Sequence, residues 1–293
     1  MIRRTLVIIA FALCLIERLH GQDLLPGQDS LRPETIAVLS GKLILRGLLW
    51  RPHGSGPFPA LIWCHGNYAS NSIPGTVDAW LGSVTSTNLL GHEFAENGYV
   101  FLGLFRRGTG LSKGTGESSQ DLLDQSLTDK GLDERNRLQV HLLETDQLED
   151  IISGVRYLRN VRGVDTGRLA VIGHSFGGSL ALLLAEHEPS LKAVVTFGAA
   201  AKSWSLSPQL RARLSESVTH INVPVLLIHA MNDYSTTPAD SLGALMDRLG
   251  KPHSVIIYPP FGNTTDVGHN FIFLGITLWE RDVLGFLGRS LKR

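Results

Sequence analysis

The sequence predicts a three-layer α/β domain, a mostly parallel sheet with helices on both faces. Three observations carry this reading. Short, fully apolar runs recur along the chain: ALIWC at 60–64, YVFLGLF at 99–105, RLAVIG at 168–173, AVVTF at 193–197, PVLLIHA at 224–230 and SVIIYP at 254–259. Strands buried on both sides have that composition. Between the runs, apolar residues fall at helical spacing, as in Leu148, Ile151, Ile152, Val155 and Leu158. Strand and helix then alternate, which is the pattern of a parallel sheet with crossover helices. With 43% hydrophobic residues in 293, residues 22–293 can share one large core, so a single domain is expected.

The first residues are of another kind. Arg3 and Arg4 precede an apolar run over 6–16, which Glu17 and Arg18 interrupt. A basic start followed by a short apolar stretch reads as a secretory signal over 1–21. The run is too short for the roughly 20 residues of a spanning helix. The protein is therefore expected to be secreted or periplasmic, with no stable membrane span once the signal is removed. If the signal is not cleaved, it is an amino-terminal anchor. Cys14 leaves with the signal, and Cys64, in an apolar strand, is expected to be a buried small hydrophobe rather than a disulfide partner.

After the signal, TIAVLS and KLILRGLLW flank Ser40-Gly41 and read as an antiparallel pair. Two short insertions interrupt the alternation, a polar one near 117–141 and one near 199–220. Thr237-Pro238 forms a cap and a first-turn proline before the stripe Leu242, Leu245, Met246 and Leu249. Lys and Arg number 27, and so do Asp and Glu. With no basic run, no nucleic-acid footprint is present, and a small or medium substrate is the expected partner.

In parallel sheets, ligands bind beyond the carboxyl ends of the strands, and VIGHSFGGSL (171–180) lies at such an end. Ser175 sits between Gly173 and Gly177 where a buried strand gives way to a helix. A tight corner needs small residues at both places, and the helix amino terminus offers unpaired N–H groups to an oxyanion. A nucleophilic serine needs a base and an orienting acid. His269 follows the last strand and Asp233 follows PVLLIHA, so both leave carboxyl ends of strands on the edge that carries Ser175. Asp266 is the rival acid, and Asp240 reads as a first-turn helix carboxylate. His174 is expected to point away from Ser175 and pack. His65, His229 and His253, at strand ends, are expected to make structural hydrogen bonds. His65-Gly66-Asn67 directly follows a strand, so the backbone N–H groups of Asn67 and Phe176 are the expected oxyanion donors.

The segments GPFPALIWCHGN, RRGTGLSKGTG, LAVIGHSFGG, HAMNDYSTTP and GHNF together resemble the α/β-hydrolase superfamily, in its branch of dienelactone hydrolases and prolyl-oligopeptidase-like catalytic domains. The resemblance implies Ser175 as nucleophile, Asp233 as acid and His269 as base, with RRGTGLSKG as a structural loop at the mouth of the site. Dienelactone hydrolases proper use a cysteine nucleophile, where this chain has Ser175. HGN replaces the commoner HGG, and a large amino-terminal propeller is not expected. The reaction implied is cleavage of carboxylic esters through an acyl-enzyme, with neither cofactor nor metal. A small serine peptidase or amidase, or a non-catalytic binding protein of the same fold, are the other readings. Tyr68, Trp204 and Leu206 are the candidate substrate-pocket residues, in a fairly open site.

Overall fold

Eight strands form one sheet in the order β1-β2-β4-β3-β5-β6-β7-β8. The structure, a computed structural model, describes residues 31–67 and 83–292. The signal read at 1–21 and the pocket candidate Tyr68 lie outside the described residues. Strands β1 (Glu34–Ser40) and β2 (Leu43–Trp50) form the expected antiparallel hairpin. Its two-residue turn falls at Gly41-Lys42, because Ser40 still pairs with Leu43. Gly41 has φ +56°, a conformation that favours glycine.

From β3 (Phe58–Cys64) the sheet is parallel, continuing through β4 (Val100–Leu104), β5 (Val164–His174), β6 (Leu191–Phe197), β7 (Val225–Ala230) and β8 (His253–Tyr258). The chain steps from β3 outward to β4, then crosses back to lay β5 on the other side of β3. That reversal opens a crevice between the carboxyl ends of β3 and β5, where open parallel sheets bind ligands.

Alternate residues of the strands supply two separate cores. Ala60, Ile62, Cys64, Leu169 and Val171 face one side, with helices α4 (Asp146–Arg159), α5 (Phe176–His187), α6 (Pro208–His220) and α7 (Thr237–Arg248). Leu61, Trp63, Ala170 and Ile172 face the other, with α1 (Ser83–Glu96) and α10 (Ile276–Ser290). Period-two alternation with both sides apolar is what makes these strands read as continuous hydrophobic runs. Between β8 and the carboxy-terminal helix, α8 (Thr265–His269) and α9 (Phe271–Leu274) are single turns.

The first insertion folds as two helices, α2 (Ser119–Lys130) and α3 (Leu132–Glu144), joined at Gly131 with φ +84°. Few apolar residues are needed to seat them: Leu123, Leu142 and Leu143 enter the first core. Among the described residues no helix is long and apolar enough to cross a membrane.

Candidate active site

Gly173 and Gly177 are required by backbone contact. A Cβ on Gly173 would stand 2.2 Å from the Gly177 carbonyl oxygen, and one on Gly177 would stand 2.0 Å from that of Cys64. Atoms cannot approach so closely, so strand β5 and helix α5 reach this crossing only with glycine at both places. The corner leaves Ser175 at φ 55°, ψ −117°, a conformation that costs a non-glycine residue on the order of 1–3 kcal/mol. Tight packing of α5 on β3 and β6 holds it there.

From this corner Ser175 Oγ donates to His269 Nε2 at 2.9 Å, and His269 Nδ1 donates to Asp233 Oδ1 at 2.7 Å. Asp233 leaves the end of β7 and also accepts from the Tyr234 N–H at 2.6 Å and from His229 Nδ1 at 2.9 Å. Burial works against the charge on Asp233, but hydrogen bonds from His229 and His269 outweigh it and hold the carboxyl well below the usual carboxylate range. Gly198, at φ +58°, keeps the space beside them open: a Cβ there would lie 3.0 Å from both Asp233 Oδ2 and His269 Nδ1. The rival Asp266 accepts from the Tyr234 hydroxyl instead. Asp240 accepts from Thr236 Oγ1 at the start of α7.

His174 is buried behind the site. Its Nε2 donates to the His269 carbonyl at 2.9 Å, and its ring lies 4.8 Å from that of His269. Burial, reinforced by the neighbouring His269, lowers its pKa to about 3, so the ring is neutral. The structural hydrogen bond expected of His229 goes to Asp233 itself, a connection that strand-end position alone could not reveal. His65 donates through Nδ1 to the Gly66 carbonyl at 2.7 Å, and His253 Nδ1 lies 3.0 Å from the Lys251 carbonyl. Burial, with the charge of Arg106, lowers the pKa of His65 far below its ordinary value. Cys64 is free and buried, and burial pushes its thiol up to about 12.

The loop after β3 is fastened from below by Arg106, fully buried in the RRGTG segment. Its guanidinium donates to the His65 carbonyl at 2.7 Å, to Gln147 Oε1 at 2.7 Å and to Asn67 Oδ1 at 3.1 Å. Ser119 Oγ, at the start of α2, donates to the same Asn67 oxygen at 3.1 Å. The Asn67 side chain is thereby tied into the scaffold, and both Asn67 and Phe176 line the cleft that holds Ser175.

That cleft measures about 220 Å³ and corrects the pocket expected from sequence. Both insertions do line it, through Gln120, Arg135 and Gln139 from the first and Lys202 and Ser203 from the second. Trp204 does not: it is buried in the first core with Leu210 and Leu214. Leu206 is 54% exposed and also lies away from the cleft. The turn after β6 is wound tightly, with Ala200 at φ 57°, and a Trp204 N–H to Ala200 carbonyl bond of 2.8 Å directs the indole inward. Lys202 and Ser203 are left at the site. Among the described residues, no group of three or more His, Cys, Asp or Glu is placed to hold a metal ion.

An open, mostly parallel sheet with a serine on the strand-to-helix corner and a histidine and aspartate from later strand ends defines an α/β-hydrolase fold. The family model "Dienelactone hydrolase family" matches residues 76–272, a stretch that encloses Ser175, Asp233 and His269, and the chain belongs to that family. Solved structures share the fold at low identity. The acylaminoacyl peptidase of Pyrococcus horikoshii is 17% identical with a TM-score of 0.65, over 94% of this chain and 44% of its own. A dienelactone hydrolase from Anabaena variabilis is 16% identical with a TM-score of 0.56, over 90% of this chain and 100% of its own. A puromycin-hydrolyzing peptidase from Mycobacterium tuberculosis is 16% identical with a TM-score of 0.61, over 92% of this chain and 41% of its own. The chain thus spans less than half the length of the peptidases it resembles.

Proposed function

We propose that the protein is a serine hydrolase that cleaves carboxylic esters through an acyl-enzyme, acting outside the cytoplasm after export. The observation that carries the reading is the continuous hydrogen-bonded line from Ser175 Oγ through His269 to Asp233, at 2.9 Å and 2.7 Å. In this proposal, His269 Nε2 takes the Ser175 proton as Oγ attacks the acyl carbonyl carbon. The tetrahedral oxyanion is met by the N–H groups of Phe176 and Asn67. His269 then returns the proton to the departing alcohol oxygen, and water repeats the sequence on the acyl-enzyme. Asp233 stays ionised throughout, fixing the tautomer that leaves Nε2 free to accept and stabilising the imidazolium once formed. Membership in a hydrolase family supports the reaction class, and the modest cleft volume supports a small substrate.

The test is hydrolysis of short 4-nitrophenyl esters by the protein and by Ser175→Ala, with a fluorophosphonate label applied to both. Turnover and labelling that vanish together in the variant are expected. Labelling with turnover of peptide amides but not of matched esters would replace the esterase reading by a peptidase one. A folded protein showing neither signal would overturn the proposal and favour a binding protein of this fold.

A further inference from the structure

The wall of the Ser175 cleft carries amides and hydroxyls that are held in place with hydrogen-bonding capacity to spare. Gln120 Nε2 donates to Asp124 Oδ1 at 2.8 Å, which leaves the Gln120 carbonyl oxygen as an acceptor. Gln139 accepts from Arg135 Nη1 through Oε1 at 2.5 Å and donates from Nε2 to Ser203 Oγ at 3.3 Å. Ser203 Oγ, accepting there, keeps its own O–H to give. Asn67 accepts from Arg106 and Ser119 through Oδ1, so its amide nitrogen is the donor that remains. The Ser179 hydroxyl, one helical turn beyond Ser175, lines the same cleft, fully buried and with no hydrogen-bond partner among the described residues.

Donors and acceptors therefore face the cleft together. A carboxylate only accepts and would leave the Gln120 oxygen unmatched, whereas a hydroxyl gives and accepts at once. An alkyl chain would match none of these groups, and a buried polar group without a partner is destabilising. The cations of the wall are engaged by neutral groups: Arg135 by Asn136 Oδ1 at 3.1 Å as well as by Gln139, and Lys202 by the Tyr234 ring, 4.4 Å from its centre. Apolar cover is scant. Among the described residues only Phe176 and Ala200 bring apolar side chains to the wall, and both are buried. An acyl chain beyond about two or three carbons finds little surface to lie on.

We propose that the ester cleaved at Ser175 joins a short acyl group, acetyl in the simplest case, to a neutral polyol such as a pyranose sugar, whose free hydroxyls are received by Gln120, Gln139 and Ser203. The proposal rests on the reading of Ser175 as nucleophile and adds the substrate class. The acyl carbonyl carbon bonds to Ser175 Oγ as its bond to the polyol oxygen breaks. That oxygen leaves as a hydroxyl with the proton carried by His269, and water then releases the acid and restores the serine. The polar side chains that both insertions turn to the site, with Trp204 in the core, are accounted for in the same way.

Shape-matched acetates test the proposal. Methyl 6-O-acetyl-α-D-glucopyranoside is set against cyclohexylmethyl acetate, and glycerol 1-acetate against propyl acetate, which separates a ring polyol from an open-chain one. In at least one pair kcat/KM, read as acetate released, is expected to favour the polyol by about tenfold or more, because a site built to hydrogen-bond a hydroxyl rejects the analogue that lacks it. The ratio should fall toward one in Gln120→Leu and in Ser203→Ala. A folding defect lowers both members of a pair and leaves their ratio in place. Hexanoyl in place of acetyl on the same sugar should lower kcat/KM. A ratio near one in the wild type, a ratio untouched by both substitutions, an equal or higher kcat/KM for the hexanoyl ester, or a preference for monomethyl glutarate over the sugar acetate would overturn the proposal. If no ester is turned over and no fluorophosphonate label is taken up, the nucleophile reading has failed instead. Saturation-transfer NMR with methyl α-D-glucopyranoside then decides the polyol site alone: a signal lost in Gln120→Leu supports it, and a signal absent, or unchanged in the variant, overturns it.

Discussion

His229 and His269 hold one carboxylate from its two oxygens: His229 Nδ1 donates to Asp233 Oδ2 at 2.9 Å and His269 Nδ1 donates to Oδ1 at 2.7 Å. Both rings and the carboxylate are buried. An aspartate fixed at one oxygen only could turn about χ2 and tilt the imidazole away from Ser175. Fixed at both, it has one orientation.

His229 is accordingly expected to act as a positioning residue for the proposed relay. Replacing it with Leu leaves Oδ2 buried without a donor, and a hydrogen bond to a charged group is worth about 1.5–3 kcal/mol. We expect kcat on 4-nitrophenyl esters to fall by roughly 10- to 100-fold with little change in KM. His229→Asn, whose amide nitrogen can stand where Nδ1 stands, should recover most of the loss. Equal kcat losses in Leu and Asn, tracking loss of thermal stability, would reduce His229 to a packing role.

The two aspartates near His269 should separate cleanly. Asp233→Asn presents an amide that can no longer hold the Nδ1–H tautomer, and substitutions of this type cost about 10⁴-fold in kcat. Asp266→Asn removes a charge but leaves an amide oxygen that can still accept from the Tyr234 hydroxyl, and kcat is expected to stay within about threefold. Steady-state kinetics on the two purified variants decide the matter. A large loss in Asp266→Asn with a small one in Asp233→Asn would move the acid to Asp266.

The glycines of the corner make a stability prediction. Gly177→Ala puts a methyl 2.0 Å from the Cys64 carbonyl oxygen and 2.3 Å from that of His65. Neither backbone can yield without separating α5 from β3, so a loss of about 3 kcal/mol or more is expected. Gly288→Ala, in α10 with nothing within 4 Å of the new Cβ, should instead add about 0.5–1 kcal/mol through helix propensity. Urea unfolding of both variants checks the contrast, and a Gly177→Ala protein as stable as the wild type would mean that the crossing is looser than its distances say.

How much of this was legible in sequence follows from what each signal encodes. Apolar periodicity reports burial, and so the layered sheet and the antiparallel start could be read directly. The corner at Ser175 was legible because the clash of a Cβ restricts residue type at Gly173 and Gly177. Side-chain direction in loops has no such signature. Trp204 read as a pocket residue because an aromatic beside an active site favours apolar contact, yet the turn at Ala200 sends it into the core and leaves Lys202 at the cleft. The segment 117–141 read as a polar stretch because its helices bury few apolar residues, and nothing local announced that Arg135 would line the cleft that holds Ser175. The link from His229 to Asp233 depends on a turn that returns the chain to the same strand end. His229 and Asp233 are four residues apart, a spacing that carries no meaning outside a helix.

His174 gives a pH dependence with a definite sign. Its folded pKa is lowered to about 3, first by burial and then by His269, against an ordinary value near 6.5. The unfolded chain therefore binds a proton at this site across the window from about pH 6.5 down to about pH 3, and the folded protein does not. Stability contributed by the neutral ring is complete above pH 6.5 and declines as pH falls through that window, by up to about 1.4 kcal/mol per pH unit. Asp233 acts lower: its depressed pKa makes a contribution present above the ordinary aspartate value near 3.9 and lost as pH falls further. In His174→Gln the slope of unfolding free energy between pH 6 and pH 4.5 should be shallower than in the wild type by nearly one proton's worth, even if the variant is less stable at pH 7. Urea titrations at half-unit pH intervals measure both slopes. Parallel slopes would mean that His174 is protonated in the folded protein, and would require its Nδ1 to find an acceptor beside Gly66.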